Sequence, residues 1–107
     1  MFSPWSVARP VEMKPGLIRR TLGVGDRIML AEFRGQAGVS IPTHDHPQEQ
    51  VGYVVSGEMA FTIAGEERVV ASGDSYVILG GVSHSARFVS DALIVETFGP
   101  PRDDYRT

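Results

Sequence analysis

Three histidines are the residues of this sequence whose types and spacing could do chemistry. His44, His46 and His84 are the only histidines in the chain. His44 and His46 are separated by one residue, so in an extended segment their side chains point the same way. The chain contains no cysteine, which leaves nitrogen and oxygen as the ligands available to a metal ion. We therefore expect a metal site built on imidazoles.

Two blocks of sequence carry these histidines, one from Gly38 to Gly57 and one from Gly73 to His84. The glycine and histidine spacings in both blocks resemble the two sequence motifs of the cupin family. Three positions depart from those motifs. Gln50 stands where the first motif has glutamate, and Leu79 and Phe88 stand where the second has proline and asparagine.

This resemblance implies an all-β fold, the double-stranded β-helix or jelly-roll barrel of cupins. It also implies one divalent transition metal (Ni, Zn, Fe, Mn or Co) held by His44, His46, Gln50 and His84. Glu49 is the better ligand by charge, but neighbouring residues of a strand cannot both face the ion, and the motif spacing selects Gln50. Three imidazoles and an amide form a neutral shell, which favours Lewis-acid chemistry. The alternative is a barrel whose site is empty or merely polar.

The elements that must position these residues are short strands. Twelve glycines and seven prolines divide the chain, and no window shows a helical apolar period. The predicted strands are Ile28 to Arg34, Gln50 to Val55, Met59 to Ala64, Glu67 to Ala71, Ser75 to Leu79, His84 to Phe88 and Leu93 to Phe98. Ser56-Gly57 and Ala64-Gly65 predict hairpin turns, and hence an antiparallel meander in a sandwich or barrel.

The chain has room for one domain. Residues 1–16 contain Pro4, Pro10 and Pro15, which argue against a central strand. We expect these residues to form an extended N-terminal arm that packs on a partner subunit, and residues 17–107 to form the barrel. The face of the Gln50 to Val55 strand opposite the ligand face carries Val51, Tyr53 and Val55. A strand that is apolar on this side as well should be covered on both faces, which predicts a sheet-on-sheet homodimer.

The last predicted strand places Ile94, Glu96 and Phe98 on one face if its residues alternate. On the inner wall of a barrel, desolvation would raise the pKa of the Glu96 carboxyl toward the range of a proton carrier at neutral pH. The alternative is an exposed glutamate on an edge strand.

The tail from Glu96 to Tyr105 resembles the closing D-x-F-x-P-P-R-x-D-F segment of KdgF-type cupins, although Glu96 replaces the usual aspartate. Those pectin-degradation proteins linearise unsaturated uronates. The resemblance implies that Glu96 is catalytic and that Phe98 and Arg102 bind substrate. Arg87 and Arg34 are other candidates for pairing with a substrate carboxylate. A metal-dependent dioxygenase and a non-catalytic ligand-binding cupin are the competing functions.

Composition limits the partners. The net charge is −3, with 42% apolar and 21% charged residues, which is typical of a globular protein and offers little attraction to nucleic acid. No apolar run approaches the length of a membrane helix, and the N-terminus lacks the features of a secretory signal. We therefore expect a cytoplasmic protein whose partner is a small molecule.

Overall fold

The structure is a computed structural model that describes residues 1–107, and it is built almost wholly of strands. In chain order these are β1 (Pro10–Lys14), β2 (Leu17–Val24), β3 (Met29–Gly35), β4 (Ser40–His44), β5 (Glu49–Ser56), β6 (Glu58–Ile63), β7 (Glu66–Ala71), β8 (Ser75–Ile78), β9 (His84–Phe88) and β10 (Ala92–Gly99). Single 3-10 turns cover Trp5–Val7 and Asp103–Tyr105. The all-β prediction is confirmed, and no helix is long and apolar enough to cross a membrane.

The strands form two antiparallel sheets. The larger has the order β1-β2-β3-β10-β5-β8, and the smaller has the order β4-β9-β6-β7. Their inner faces pack on each other around one core, because alternate residues of β5, β8, β9 and β10 are buried. The largest fully buried side chains are Phe88, Phe98, Met29, Met59, Ile78 and Val54. Strand β10 lies in the middle of the larger sheet, so its inward side chains reach the centre of the barrel.

One predicted hairpin is wrong. Ser56-Gly57 does not join a paired hairpin, because β5 and β6 lie in different sheets. Gly57 instead forms the corner between the sheets with φ +85°, and a Cβ there would overlap the Asp91 carbonyl and Ala92. Ala64-Gly65, with φ values of 50° and 81°, is a true hairpin turn between β6 and β7.

Three strands were not predicted. Strand β2 carries Arg19 and Arg20 on opposite faces, with Arg19 buried, so it shows no apolar alternation. Strand β4 contains Pro42, and the proline is tolerated because β4 is an edge strand of the smaller sheet. Strand β1 lies within the expected N-terminal arm and is the edge of the larger sheet, paired with β2 of its own chain.

The residues before β1 also pack on their own chain. The indole Nε1 of Trp5 donates a hydrogen bond to Glu32 Oε1 at 2.8 Å. The guanidinium of Arg20 stacks on the Trp5 ring at 3.8 Å. These contacts place the N-terminal segment on the outer face of β2 and β3, which leaves the outer face of β10, β5 and β8 open.

Candidate metal centre

The three histidines converge at one end of the barrel. His44 is the last residue of β4 and His84 the first of β9, and the two are direct cross-strand partners with ring centroids 4.2 Å apart. His46 follows in the loop after β4, with its ring centroid 5.0 Å from that of His84. One potential ligand atom from each residue lies within 4.8 Å of the others. The structure thus brings together the three residues that the spacing predicted.

Backbone carbonyls orient the three rings. Each Nδ1 is hydrogen-bonded to the carbonyl of a residue two positions away: Pro42 for His44 (2.9 Å), Gln48 for His46 (3.0 Å) and Val82 for His84 (2.8 Å). A carbonyl can only accept, so each Nδ1 carries the proton, and the lone pair of the neutral ring is on Nε2. This is the usual way in which proteins orient metal-ligating imidazoles.

Two observations fit a cation at the centre. His84 Nε2 is buried and has no hydrogen-bond partner, which is unfavourable for a polar atom unless something outside the protein satisfies it. Gln50 Oε1 lies 3.0 Å from His46 Nε2. In a neutral His46 with its proton on Nδ1, the lone pair of Nε2 therefore faces a lone pair of the Gln50 oxygen, which is repulsive. A shared cation would relieve both arrangements. The three histidines could therefore hold a metal ion, and nitrogen and oxygen donors suit a divalent transition metal.

Gln50 faces the histidines and Glu49 does not. Gln50 is 5% exposed on the inner face of β5, whereas Glu49 is exposed on the outer side. The amide nitrogen of Gln50 donates to Glu96 Oε2 at 2.5 Å. Because the nitrogen is committed to a carboxylate, Oε1 is the atom that faces the imidazoles.

Glu96 lies on the inner wall of the barrel between Ile94 and Phe98, all three buried. The alternative of an exposed edge glutamate is wrong, because β10 is flanked by β3 and β5. Besides the Gln50 amide, the hydroxyl of Tyr76 donates to Glu96 Oε2 at 2.6 Å. Sequence reasoning missed Tyr76. The available signal was Gly52, a lone glycine within an apolar strand, which indicates close approach of another group.

Burial shifts the pKa values of the site. Desolvation raises the pKa of Glu96, and the hydrogen bonds from Tyr76 and Gln50 oppose this rise without cancelling it. Desolvation lowers the pKa values of His46 and His84, with a smaller contribution from the positive charge of Arg102. These two imidazoles therefore stay neutral, as ligation requires, to lower pH than free histidine.

A small cavity of about 50 Å³ opens beside the histidines. Its lining includes Phe98, Arg102 and Tyr105 as well as His44, His84, Gln50 and Glu96. Nε and Nη2 of Arg102 form a fork with the Asp104 carboxylate at 3.2 and 2.8 Å. The other two candidate arginines, Arg34 and Arg87, are exposed and do not line this cavity.

The C-terminal segment covers the cavity and is held by stacking. The guanidinium of Arg102 lies 3.9 Å from the centroid of the Tyr105 ring, and that of Arg19 lies 4.6 Å from it. Arg19 also donates to the Thr107 carbonyl, and the Thr21 hydroxyl donates to the Tyr105 carbonyl. Strand β2 thus anchors the segment that carries Arg102.

The family follows from a match to known sequences. The profile of the Cupin domain matches residues 31–98, which include all three histidines, Gln50 and Glu96. The chain belongs to the cupin family. The histidines of the two sequence blocks meet at one centre because β4 and β9 are neighbours in the smaller sheet of this fold.

Solved structures of small cupins superimpose on nearly the whole chain. KdgF from Halomonas sp. is 27% identical, with a TM-score of 0.91 over 97% of this chain and 96% of its own. An RmlC-like cupin from Shewanella frigidimarina is 30% identical, with a TM-score of 0.92 over 97% of this chain and 94% of its own. The predicted resemblance to KdgF-type cupins is thereby confirmed.

More distant structures share the fold alone. Salicylate 1,2-dioxygenase from Pseudoaminobacter salicylatoxidans is 20% identical, with a TM-score of 0.78 over 84% of this chain and 26% of its own. No curated protein matches the chain well enough to count as a relative. The activity must therefore be argued from the site itself.

Proposed function

We propose that this cupin is a metal-dependent enzyme that opens the ring of an unsaturated uronate, or a related sugar acid, without a redox change. The observation that carries the proposal is Glu96, a carboxylate buried beside the three histidines in a cavity that also receives the Arg102 side chain. A carboxylate with a raised pKa next to a cationic group is suited to moving protons on an acidic sugar. The likeness to KdgF over the whole chain supports this choice of substrate.

The proposed ligands are Nε2 of His44, His46 and His84 and Oε1 of Gln50. A divalent ion held by this neutral set would supply undiminished positive charge beside the bound substrate, acting as a Lewis acid. The donors suit Ni, Zn, Fe, Mn and Co. The orphaned Nε2 of His84 is the strongest local support for an ion at this position.

The reaction is an isomerisation in which Glu96 carries the proton. A 4,5-unsaturated uronate is a cyclic hemiacetal that contains an enol ether. Its anomeric hydroxyl loses a proton, the bond between C1 and the ring oxygen breaks, and C1 becomes an aldehyde. The enolate left at C5 becomes a ketone when a proton reaches C4, so nothing is oxidised or reduced. Glu96 Oε1 accepts no hydrogen bond from the protein, and we assign to it both the uptake and the delivery of the proton.

Arg102 and Phe98 bind the substrate in this proposal. The fork to Asp104 uses Nε and Nη2 of Arg102 and leaves Nη1 for the uronate carboxylate. Phe98 lines the cavity with its ring edge-on to His46, at 6.0 Å between centroids, and provides an apolar wall for the sugar ring.

The size of the cavity sets a condition on binding. About 50 Å³ holds only a few water molecules, whereas pockets for small ligands typically measure about 300 Å³ or more. A sugar acid therefore fits only if the C-terminal segment with Arg102 and Tyr105 moves outward. Its anchors on β2 are hydrogen bonds and stacking at the barrel rim, which can be exchanged for contacts with a substrate.

The test uses the protein loaded in turn with each candidate metal. Unsaturated galacturonate is added, and the ring alkene and the aldehyde are followed by NMR. We expect linear product to form at least tenfold faster than in buffer, at an unchanged rate without oxygen, and expect the acceleration to be lost in His46→Ala. Product that forms no faster than in buffer with any of the metals would exclude the uronate reaction, and oxygen uptake would indicate dioxygenase chemistry instead.

We also propose that the protein is a homodimer formed through the open outer face of the larger sheet. Val51 of β5 pairs with Val77 of β8 on one side and Thr97 of β10 on the other, and the outward side chains form one patch. Its apolar members are exposed by 41 to 57%: Val51, Tyr53, Val55, Val77 and Leu79. A contiguous apolar patch on a sheet is typical of a subunit interface.

A further inference from the structure

Tyr76 and Glu96 lie in one row of side chains across three neighbouring strands. Gly52 of β5 is the register partner of Glu96 on β10 and of Tyr76 on β8. Because adjacent strands are about 4.8 Å apart, the Tyr76 ring must cross the position of Gly52 to reach Glu96. A Cβ at Gly52 would overlap this ring. The absence of a side chain at position 52 is therefore what allows the contact.

Packing alone does not explain the Tyr76 hydroxyl. The ring is 7% exposed and packs on Phe61, with centroids 4.1 Å apart. A phenylalanine would fill this space equally well and would avoid the free energy of burying a hydroxyl. The hydroxyl is instead satisfied by Glu96 Oε2 at 2.6 Å, which makes the carboxylate its only partner.

The same oxygen of Glu96 also accepts the Gln50 amide. Gln50 lies two residues before Gly52 on the inner face of β5, and its Nε2 is 2.5 Å from Glu96 Oε2. If Gln50 were its only donor, the Glu96 carboxylate could rotate and offer either oxygen. The Gln50 side-chain amide could then flip, which would exchange the positions of its nitrogen and its oxygen. With Tyr76 holding Oε2 in place, the Gln50 nitrogen has one fixed acceptor, and its oxygen points at the histidines.

We propose that Tyr76 is a positioning residue that acts through Glu96 to keep the Gln50 oxygen directed at the histidine centre. The proposal rests on the proposed role of that centre in binding a metal. The residues involved form one unit. Gly52 leaves space for the Tyr76 ring, Tyr76 orients the Glu96 carboxylate, and that carboxylate orients the Gln50 amide. Tyr76 itself lies outside the cavity lining and touches no substrate.

The main test is Tyr76→Phe, with Tyr53→Phe as the matched control because Tyr53 is exposed on the outer face of β5. The chain has three glutamines and no asparagine, so side-chain amide NMR signals are few and assignable. In Tyr76→Phe we expect the Gln50 NH₂ pair to shift and to exchange with water at least tenfold faster, while the Gln36 pair is unchanged. We expect Tyr53→Phe to move neither.

Two further readouts separate positioning from a structural role. In Tyr76→Phe, zinc affinity measured by competition with a chromophoric chelator should fall about tenfold. On unsaturated galacturonate, kcat should fall about 10- to 100-fold with KM within twofold, since a hydrogen bond to a charged group is lost. If the Gln50 signals and the zinc affinity of Tyr76→Phe equal those of the wild type, the proposal is wrong.

The amide and zinc measurements need no substrate, so they decide the role of Tyr76 even if the wild type has no uronate activity. Should Tyr76→Phe fail to fold, Glu96→Gln is the second variant, because it removes the charged acceptor and leaves the tyrosine. The same shift and faster exchange of the Gln50 pair are expected there. Gln50 signals identical to those of the wild type in Glu96→Gln would equally overturn the proposal.

Discussion

Gln50 of β5 and Glu96 of β10 are joined by a 2.5 Å hydrogen bond from the amide nitrogen to the carboxylate. This bond explains why an amide suits position 50, where the cupin motif has glutamate. A glutamate there would bring two carboxylates into contact in a buried site, and one of them would have to hold a proton. With glutamine, Glu96 can remain a separate acid-base group next to the histidines.

The two neighbouring candidates for the fourth ligand are separable by experiment. Gln50→Ala should weaken zinc binding by about tenfold or more, because it removes the oxygen that faces the histidines. Glu49→Ala should leave the affinity within about twofold, because Glu49 is exposed on the outer side. Both affinities can be measured by calorimetry. A loss confined to Glu49→Ala would transfer the ligand role to that residue.

Replacement of the buried carboxylate should abolish activity without emptying the site. Glu96→Gln keeps the size of the side chain but removes the proton carrier, so kcat on unsaturated galacturonate should fall by about 100-fold or more. The zinc affinity should fall as in Tyr76→Phe, but with zinc in excess the zinc content per chain, measured by mass spectrometry, should stay near that of the wild type because the three histidines remain. Glu67→Gln on the exposed strand β7 is the control and should retain full activity. A Glu96→Gln enzyme with wild-type kcat would remove Glu96 from the reaction.

The metal-free protein should lose stability in mild acid. The pKa values of His46 and His84 are lowered from 6.5 by desolvation, so the unfolded chain takes up more protons than the native protein once the pH falls below about 6.5. The free energy of unfolding should therefore decrease from that pH downward until the native histidines also protonate. The raised pKa of Glu96 has the opposite sign and makes the decrease smaller.

Urea unfolding with chelator at several pH values measures this dependence. In His46→Gln the decrease should be smaller, because one of the two neutral buried imidazoles is absent. A wild-type stability that stays flat or rises between about pH 7 and 5.5 would contradict the assignment of neutral, desolvated histidines. Zinc should add stability near neutral pH, and this gain should fade in acid as protons compete for the imidazoles.

The outer face of the larger sheet should govern the association of subunits. Val77→Lys places a charge within the apolar patch and should convert the protein from about twice 11.6 kDa to the monomer mass in light scattering. Val69→Lys, on the exposed edge strand β7 and 58% exposed, is the control and should leave the mass unchanged. A wild type that is already monomeric at micromolar concentration would rule out this dimer.

Several features were predictable because they depend on local sequence. The ends of β3 and of β5 to β10 were predicted to within one residue, since most of these strands are bounded by turn residues and rich in branched or aromatic side chains. The side of β10 that bears Glu96 follows from the two-residue period of a strand. Strand β2 was missed because Arg19 is buried against Tyr105, a contact from the far end of the chain that no local pattern reveals.

The sequence by itself determined the family, the three histidines and the side of β5 on which Gln50 faces them, because these depend on spacings along the chain that the cupin motifs share. The tertiary structure alone decided that Tyr76 reaches Glu96 across Gly52, and that Arg102 rather than Arg34 or Arg87 lines the cavity. The reason is physical. Such contacts depend on strand order and register, which are set by hydrogen bonds between segments far apart in the chain.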